Sequence, residues 1–211
     1  MNAVDPGGKL VIFINGMHFG DGERSVYWQN FDQTVMKHLN DYNVLYRDGS
    51  IGGVNGLPKN LGAAYRKKVG RMMGAIDIEK IIKLISDENG NIKETIKIIT
   101  HSMGAAYGKG YVEAILNYLQ KLGLPLEIVE FEADFAPFQP KDQQAVEGVD
   151  TYQFSHAKDN IAGNKKIKGA QNMDTSKDKE QSHDIGTFMN QIMNLPEGNY
   201  KIINGKIVKI E

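Results

Sequence analysis

Cysteine is absent from the sequence, which removes disulfides, thiolate nucleophiles and cysteine-ligated metals from consideration. An excess of charge of one sign is absent too. Lys and Arg number 25 against 26 Asp and Glu, a net charge of −1, so the basic surplus that nucleic-acid binding needs is missing. No apolar run is long enough to span a membrane, and the opening "MNAVDPGGKL" lacks a basic-then-apolar leader; a soluble domain carrying no export signal in this chain is expected. Neither an internal repeat nor an extended low-complexity tract occurs. His, Asp and Glu do not cluster at metal-ligand spacing, and the glycine-rich stretches lack the Gly-Lys-Ser/Thr ending of a phosphate loop. No metal or other cofactor is therefore expected.

What is present fits one domain: 211 residues, 41% hydrophobic, with 23 glycines, enough to bury a core without covalent staples. "KLVIFING", from Lys9, is a continuous branched run of the kind a strand buried on both faces needs. A helical pattern follows in "VYWQNFDQTVMKHLN", then a strand in "YNVLYR" and a glycine-rich loop in "DGSIGGVNGLPKN". "LGAAYRKKVGRMMG" and "DIEKIIKLISDENG" read as two helices. "TIKIIT" is a third strand, followed by the helix "SMGAAYGKGYVEAILNYLQKLG". "LEIVEFEA" and "TYQFSHA" are the fourth and fifth strands. "GNKKIKGAQNMDTSKDKEQS" reads as a polar loop, "HDIGTFMNQIMN" as a last helix, and "NYKIINGKIVKI" as a hairpin around Asn204-Gly205. The alternation predicts an α/β fold: a mostly parallel central sheet of about five strands, helices on both faces, and a C-terminal β-hairpin. Residues 1–8 read as a lead-in, 9–195 as the α/β domain and 196–211 as the hairpin. In such sheets the reactive crevice lies beyond the carboxyl ends of the strands, here the loops after Ile14, Thr100, Glu132 and Ser155.

At one of those ends "IKIITHSMGAAYGKGYVEAIL", Ile96 to Leu116, sets Ser102 at the joint between a strand and a helix. Thr100-His101-Ser102-Met103-Gly104 resembles the nucleophile elbow of α/β-hydrolases, G-x-S-x-G, with Thr100 where the pattern has glycine. The alternative is a serine that merely caps a core helix. In the fold this motif implies, an acid and then a histidine follow the serine along the chain, and only His156 and His183 follow Ser102. His183 pairs with Asp159 as the natural acid, and Asp134 is the alternative acid. His156 is the alternative base, and would need Asp134 or Asp150. The oxyanion hole would be the backbone N–H of Met103 and that of Met17, after Gly16.

Together "VIFINGM", "ITHSMGAA", "YQFSHAKDNIAG" and "SHDIGTF" resemble a lipase-type α/β-hydrolase, nearest in arrangement to the class 3 lipases. The resemblance implies a serine carboxylester hydrolase, lipase- or phospholipase-like, acting on a lipid or another acyl ester through an acyl-enzyme on Ser102. A thioesterase, a small-ester esterase and a non-catalytic binding module on the same scaffold are the alternatives. It also implies a mobile lid, for which "GSIGGVNGLPKN" and the loop after Gly16 are candidates. The lysine-rich loop from Lys165 to Lys179 could touch a membrane surface, although Asp174, Asp178 and Glu180 make it a solvated loop first. "NAVDPGGK" resembles the segment closing the core of Rhs/YD-repeat proteins, which implies a bacterial C-terminal effector domain exported as part of a larger protein, with an immunity protein as partner.

Overall fold

The computed structural model describes residues 10–18, 24–39, 41–50, 59–92, 95–124, 128–133, 144–162, 166–172, 182–188, 199–203 and 206–210. Five strands fall where the sequence places them: β1 (Leu10–Asn15), β2 (Val44–Asp48), β3 (Ile96–His101), β4 (Ile128–Ala133) and β5 (Asp150–Phe154). A sixth, β6 (Gln171–Asn172), joins the sheet edge from within the stretch expected to be loop. Two residues are too few to show a period, so no pattern could announce it. The order is β2-β1-β3-β4-β5-β6 and every neighbour pairs in parallel. The C-terminal hairpin is present as β7 (Asn199–Ile203) and β8 (Lys206–Ile210), antiparallel, in a separate two-stranded sheet. Its Asn204-Gly205 turn lies outside the described residues, as does the 1–8 lead-in.

Both faces of the sheet are covered, as wholly apolar parallel strands require. Val11, Phe13, Ile99, Val129 and Phe131 point to one face, where they pack with Trp28, Phe31 and Val35 of helices α1 (Arg24–Trp28) and α2 (Phe31–Leu39). The alternate residues Leu10, Ile12, Ile14, Ile96 and Ile98 pack on the other face against helices α3 (Lys59–Ile85) and α4 (Gly104–Lys121). This period-2 division inside wholly apolar strands is what burial on two faces demands. Arg47 of β2 donates to both carboxylate oxygens of Asp77, at 2.6 and 2.5 Å, and Tyr111 donates to the same Asp77 at 2.7 Å. One buried carboxylate thereby ties β2, α3 and α4 together.

Two helix assignments are corrected. The pair expected between Leu61 and Gly90 is one continuous helix of 27 residues. Gly74 is not a break: a β-carbon there would lie 2.6 Å from the Tyr111 carbonyl oxygen, so glycine serves close packing of α3 on α4. Conversely, the single helix expected through "VYWQNFDQTVMKHLN" divides into α1 and α2. Gln29 and Asn30 both take left-handed backbone angles, φ 48° and 66°, which end one helix and let Trp28 and Phe31 bury side by side. Of the expected last helix, the described part is a short 3₁₀ turn, Ile185–Phe188. Despite its length α3 is polar, and among the described residues no helix is long and apolar enough to cross a membrane.

The α3–α4 crossing yields a stability prediction. A β-carbon at Gly70 would stand 2.0 Å from the carbonyl oxygen of Tyr107, a backbone atom that cannot turn aside. Helix propensity favours Gly70→Ala by about 1 kcal/mol, but overpacking costs typically 1–3 kcal/mol and this contact is at the severe end. A net loss of roughly 2 kcal/mol in urea unfolding is expected, and a variant as stable as wild type would contradict the close crossing.

Candidate active site

The switch point of the sheet lies between β1 and β3, because the chain goes to one side from β1 and to the other afterwards. Ligand crevices in open α/β sheets form at such a point, and here both strand ends carry the expected residues. Ser102 directly follows β3 with φ 55°, in the left-handed region that costs a non-glycine residue on the order of 1 kcal/mol or more. Its N–H donates to the Ala133 carbonyl at 2.9 Å, which fixes the corner against β4. Helix α4 starts two residues later, capped by Met103 with no side-chain hydrogen bond. The helix-capping alternative for Ser102 is thus not what the structure shows, because Met103 rather than Ser102 holds the cap position.

The Ser102 hydroxyl meets His183. Ser102 Oγ lies 2.8 Å from His183 Nε2, and His183 Nδ1 lies 2.5 Å from Asp159 Oδ2. Asp159, 4% exposed, also accepts from the Ile161 N–H at 2.6 Å. Its own N–H donates to the His156 carbonyl at 3.1 Å, so the carboxylate is oriented from both sides. The segment bearing His183 is pinned as well: Asp184 accepts from Gln29 Nε2 at 2.9 Å and from the Gly186 N–H at 2.8 Å.

His156 has a different engagement. Its Nε2 lies 2.7 Å from Thr187 Oγ1, and its ring stacks on Phe188 with centroids 4.1 Å apart. Thr187 gives its only hydroxyl hydrogen to the Asp184 carbonyl, at 2.5 Å, so His156 Nε2 must be the donor to Thr187. That nitrogen carries its proton and cannot accept one from a serine. The alternative acid Asp134 lies outside the described residues, and so do the central residues of both lid candidates (19–23 and 51–58).

The amide donors expected of Met17 and Met103 sit on backbone that packing holds tightly. A β-carbon on Gly16 would stand 2.7 Å from Ser102 Cβ, and one on Gly104 would stand 2.5 Å from the Asn15 carbonyl oxygen. Met17 follows Gly16 and is 40% exposed. On its outer side the loop is tied to Asp48, which accepts from Asn15 Nδ2 at 3.1 Å and from Ser50 Oγ at 2.6 Å. His18 Nε2 lies 3.4 Å from the other oxygen of the same Asp48. Burial pushes the Asp48 carboxyl up, yet the hydrogen bonds from Ser50, Asn15 and His18 outweigh it and hold the group below its ordinary range.

Three participants escaped the sequence reading. Gly108 faces Thr100, where a β-carbon would come within 2.5 Å of Thr100 Cγ2. The threonine that departs from the elbow pattern is therefore accommodated by a glycine one turn into the helix. Tyr27 is the second: its hydroxyl accepts from the Gly16 N–H at 2.6 Å and donates to His101 Nδ1. His101 is the third, its ring 5.0 Å from that of His183. The only sequence signal for this pair was the position of His101 next to the serine.

Burial drives the His101 pKa from 6.5 down to about 3, the neighbouring His183 lowers it further, and the His183 backbone and Asp159 act the other way. His101 is thus neutral near pH 7, with Nδ1 accepting from Tyr27. A histidine that resists protonation when folded binds more protons when unfolded, so its contribution is nil above pH 6.5 and increasingly destabilising as pH falls toward 3. The shift is worth roughly 4–5 kcal/mol. His101→Gln should flatten the loss of stability between pH 6 and pH 4 in urea titrations. An unchanged slope would mean that His101 titrates normally.

Among the described residues no group of three or more His, Asp or Glu could hold a metal ion. No protein-family model matches the sequence, and no curated protein matches it either. Among solved structures, a novel cutinase-like protein from Cryptococcus sp. is similar at a TM-score of 0.34 and 11% identity, over 74% of this chain and 79% of that one.

Proposed function

We propose that the chain is a serine carboxylester hydrolase of the lipase or esterase kind, acting through an acyl-enzyme on Ser102. The observation that carries this reading is the hydrogen-bonded series from Ser102 through His183 to a buried Asp159, mounted on a left-handed serine. A hydroxyl becomes a competent nucleophile when a base within hydrogen-bond reach takes its proton and a third group orients that base.

In the proposed reaction Ser102 Oγ attacks the ester carbonyl carbon while His183 Nε2 takes its proton. Asp159 holds the Nδ1–H tautomer and offsets the imidazolium charge. The oxyanion is met by the N–H groups of Met103 and Met17 beside the positive end of α4, an arrangement in which one donor is typically worth about 3 kcal/mol. Collapse breaks the ester C–O bond, and the alkoxide leaves with the proton from His183. Water, deprotonated by the same histidine, then attacks the acyl carbonyl; the acyl C–Oγ bond breaks, Ser102 takes its proton back from His183, and the acid is released. Residues 2–9, which resemble the Rhs/YD-repeat junction, extend the proposal to a delivered effector with an immunity partner; they lie outside the described residues.

Within this reading Tyr27 is a positioning residue, since it holds the Gly16 amide and His101 at once. Wild type should be labelled by a fluorophosphonate, and Ser102→Ala and His183→Ala should not, with circular dichroism unchanged. A folded wild type that stays unlabelled with detergent present would overturn the hydrolase reading. Tyr27→Phe should lower kcat on p-nitrophenyl butyrate about tenfold, roughly 1.4 kcal/mol, with KM nearly unchanged. A KM effect alone would place Tyr27 in substrate binding instead.

A further inference from the structure

Among the described residues, the buried cations other than Arg66 have carboxylate partners. Lys97 lies on Asp41 and Lys109 lies on Glu130 and Glu132, and the partly buried Arg47 lies on Asp77. Arg66 is as buried as the two lysines, at 3% exposure, yet its Nε has no hydrogen-bond partner and no carboxylate among the described residues pairs with it. Burial lowers its pKa with no neighbouring anion acting against that. A guanidinium does not lose its proton in a protein, so it cannot escape the cost of desolvation by turning neutral.

The helix crossing fixes which end of the molecule this cation occupies. Gly70 abuts the Tyr107 carbonyl and Gly74 abuts that of Tyr111, so α3 and α4 advance in the same direction. Arg66 stands one turn before Gly70, level with the first turn of α4, where Ser102 and Met103 form the corner. Its guanidinium reaches back a further turn: a β-carbon at Gly62 would lie 3.1 Å from Nη1 and 3.2 Å from Nη2. The charge therefore sits at the crevice end of the α3–α4 pair, the end to which α4 also presents its uncapped N-terminus.

We propose that Arg66 is an anion anchor of the Ser102 crevice, taking the phosphate or phosphodiester oxygens of an acyl-ester substrate. The proposal rests on the ester-hydrolase reading and narrows its substrate to phosphate-bearing lipids over neutral acylglycerols. The guanidinium fork matches two oxygens of a phosphate with parallel N–H···O bonds, and a helix N-terminus on the same side adds to the attraction. The anchor lies apart from the reacting ester, so it binds ground state and transition state alike and acts mainly through KM.

The test compares fatty-acid release from a phosphatidylglycerol and from the diacylglycerol with the same chains, in mixed micelles, by wild type, Arg66→Gln and Arg66→Lys. Wild type should favour the phospholipid at least tenfold in kcat/KM. Arg66→Gln should lose that preference through a raised phospholipid KM, and Arg66→Lys should retain part of it. Equal preference in wild type and Arg66→Gln would overturn the proposal. A second readout needs no turnover: inorganic phosphate or glycerol 3-phosphate should raise the Tm of wild type but not of folded Arg66→Gln. Stabilisation by phosphate without phospholipid preference would assign the anchor to a free phosphate and overturn the lipid class. An enzyme inert to fluorophosphonate but stabilised by phosphate through Arg66 would sink the hydrolase reading and leave the anion site standing. Absence of both phosphate effects would remove the site itself.

Discussion

The corner at Ser102 is the constraint on which the rest of the crevice depends. A strand must end and a helix begin within two residues, with the intervening serine held at a positive φ. The helix can start so abruptly only if its first turn lies directly on the end of β1, where the space beside the Asn15 carbonyl admits no side chain at residue 104. Once α4 is seated there, the loop after β1 is forced against Ser102, and Gly16 becomes obligatory for the same reason. Sheet order completes the arrangement, since β1 and β3 are the strands at which the chain reverses its direction of winding. Local strain and global topology therefore select the same place.

Much of this was legible in the sequence because the strands are apolar throughout and the corner has a motif. Buried parallel strands announce themselves by composition, and Ser102 directly follows β3 and Asp159 lies in the loop after β5, whereas His183 stands just before the 3₁₀ turn. What escaped was decided by tertiary contacts. Gly74 reads as a helix break but is a point of helix–helix contact. Gln29 and Asn30 read as ordinary helical positions, yet their left-handed backbone is imposed by the burial of Trp28 and Phe31 on either side. Thr100 looked like a defect in the elbow pattern; its compensation lies eight residues away at Gly108, at a distance no short motif covers.

The competing histidine illustrates a role that spacing cannot reveal. His156 donates to Thr187, and Thr187 in turn donates to the Asp184 carbonyl. With the Asp159 N–H on the His156 carbonyl, the residue that rivals His183 as a base holds both neighbours of the His183 site. In chain order His156 and His183 are alternatives, whereas in space one braces the loop of the other.

The electrostatics of the corner follow from burying two imidazoles side by side. In the proposed reaction His183 becomes an imidazolium when it takes the serine proton, and His101 lies about 5 Å from it, 5.0 Å between centroids. Two unit charges at that separation repel by roughly 3 kcal/mol at an effective dielectric of 20, enough to slow proton abstraction more than a hundredfold. Burial prevents this by keeping His101 neutral, with its pKa near 3. Tyr27 then needs only to donate to His101 Nδ1 and accept from the Gly16 N–H, and both bonds persist whichever protonation state His183 adopts. In the proposed turnover the moving charge is thus confined to Ser102, His183 and Asp159, while the adjoining polar groups hold the Gly16 loop still.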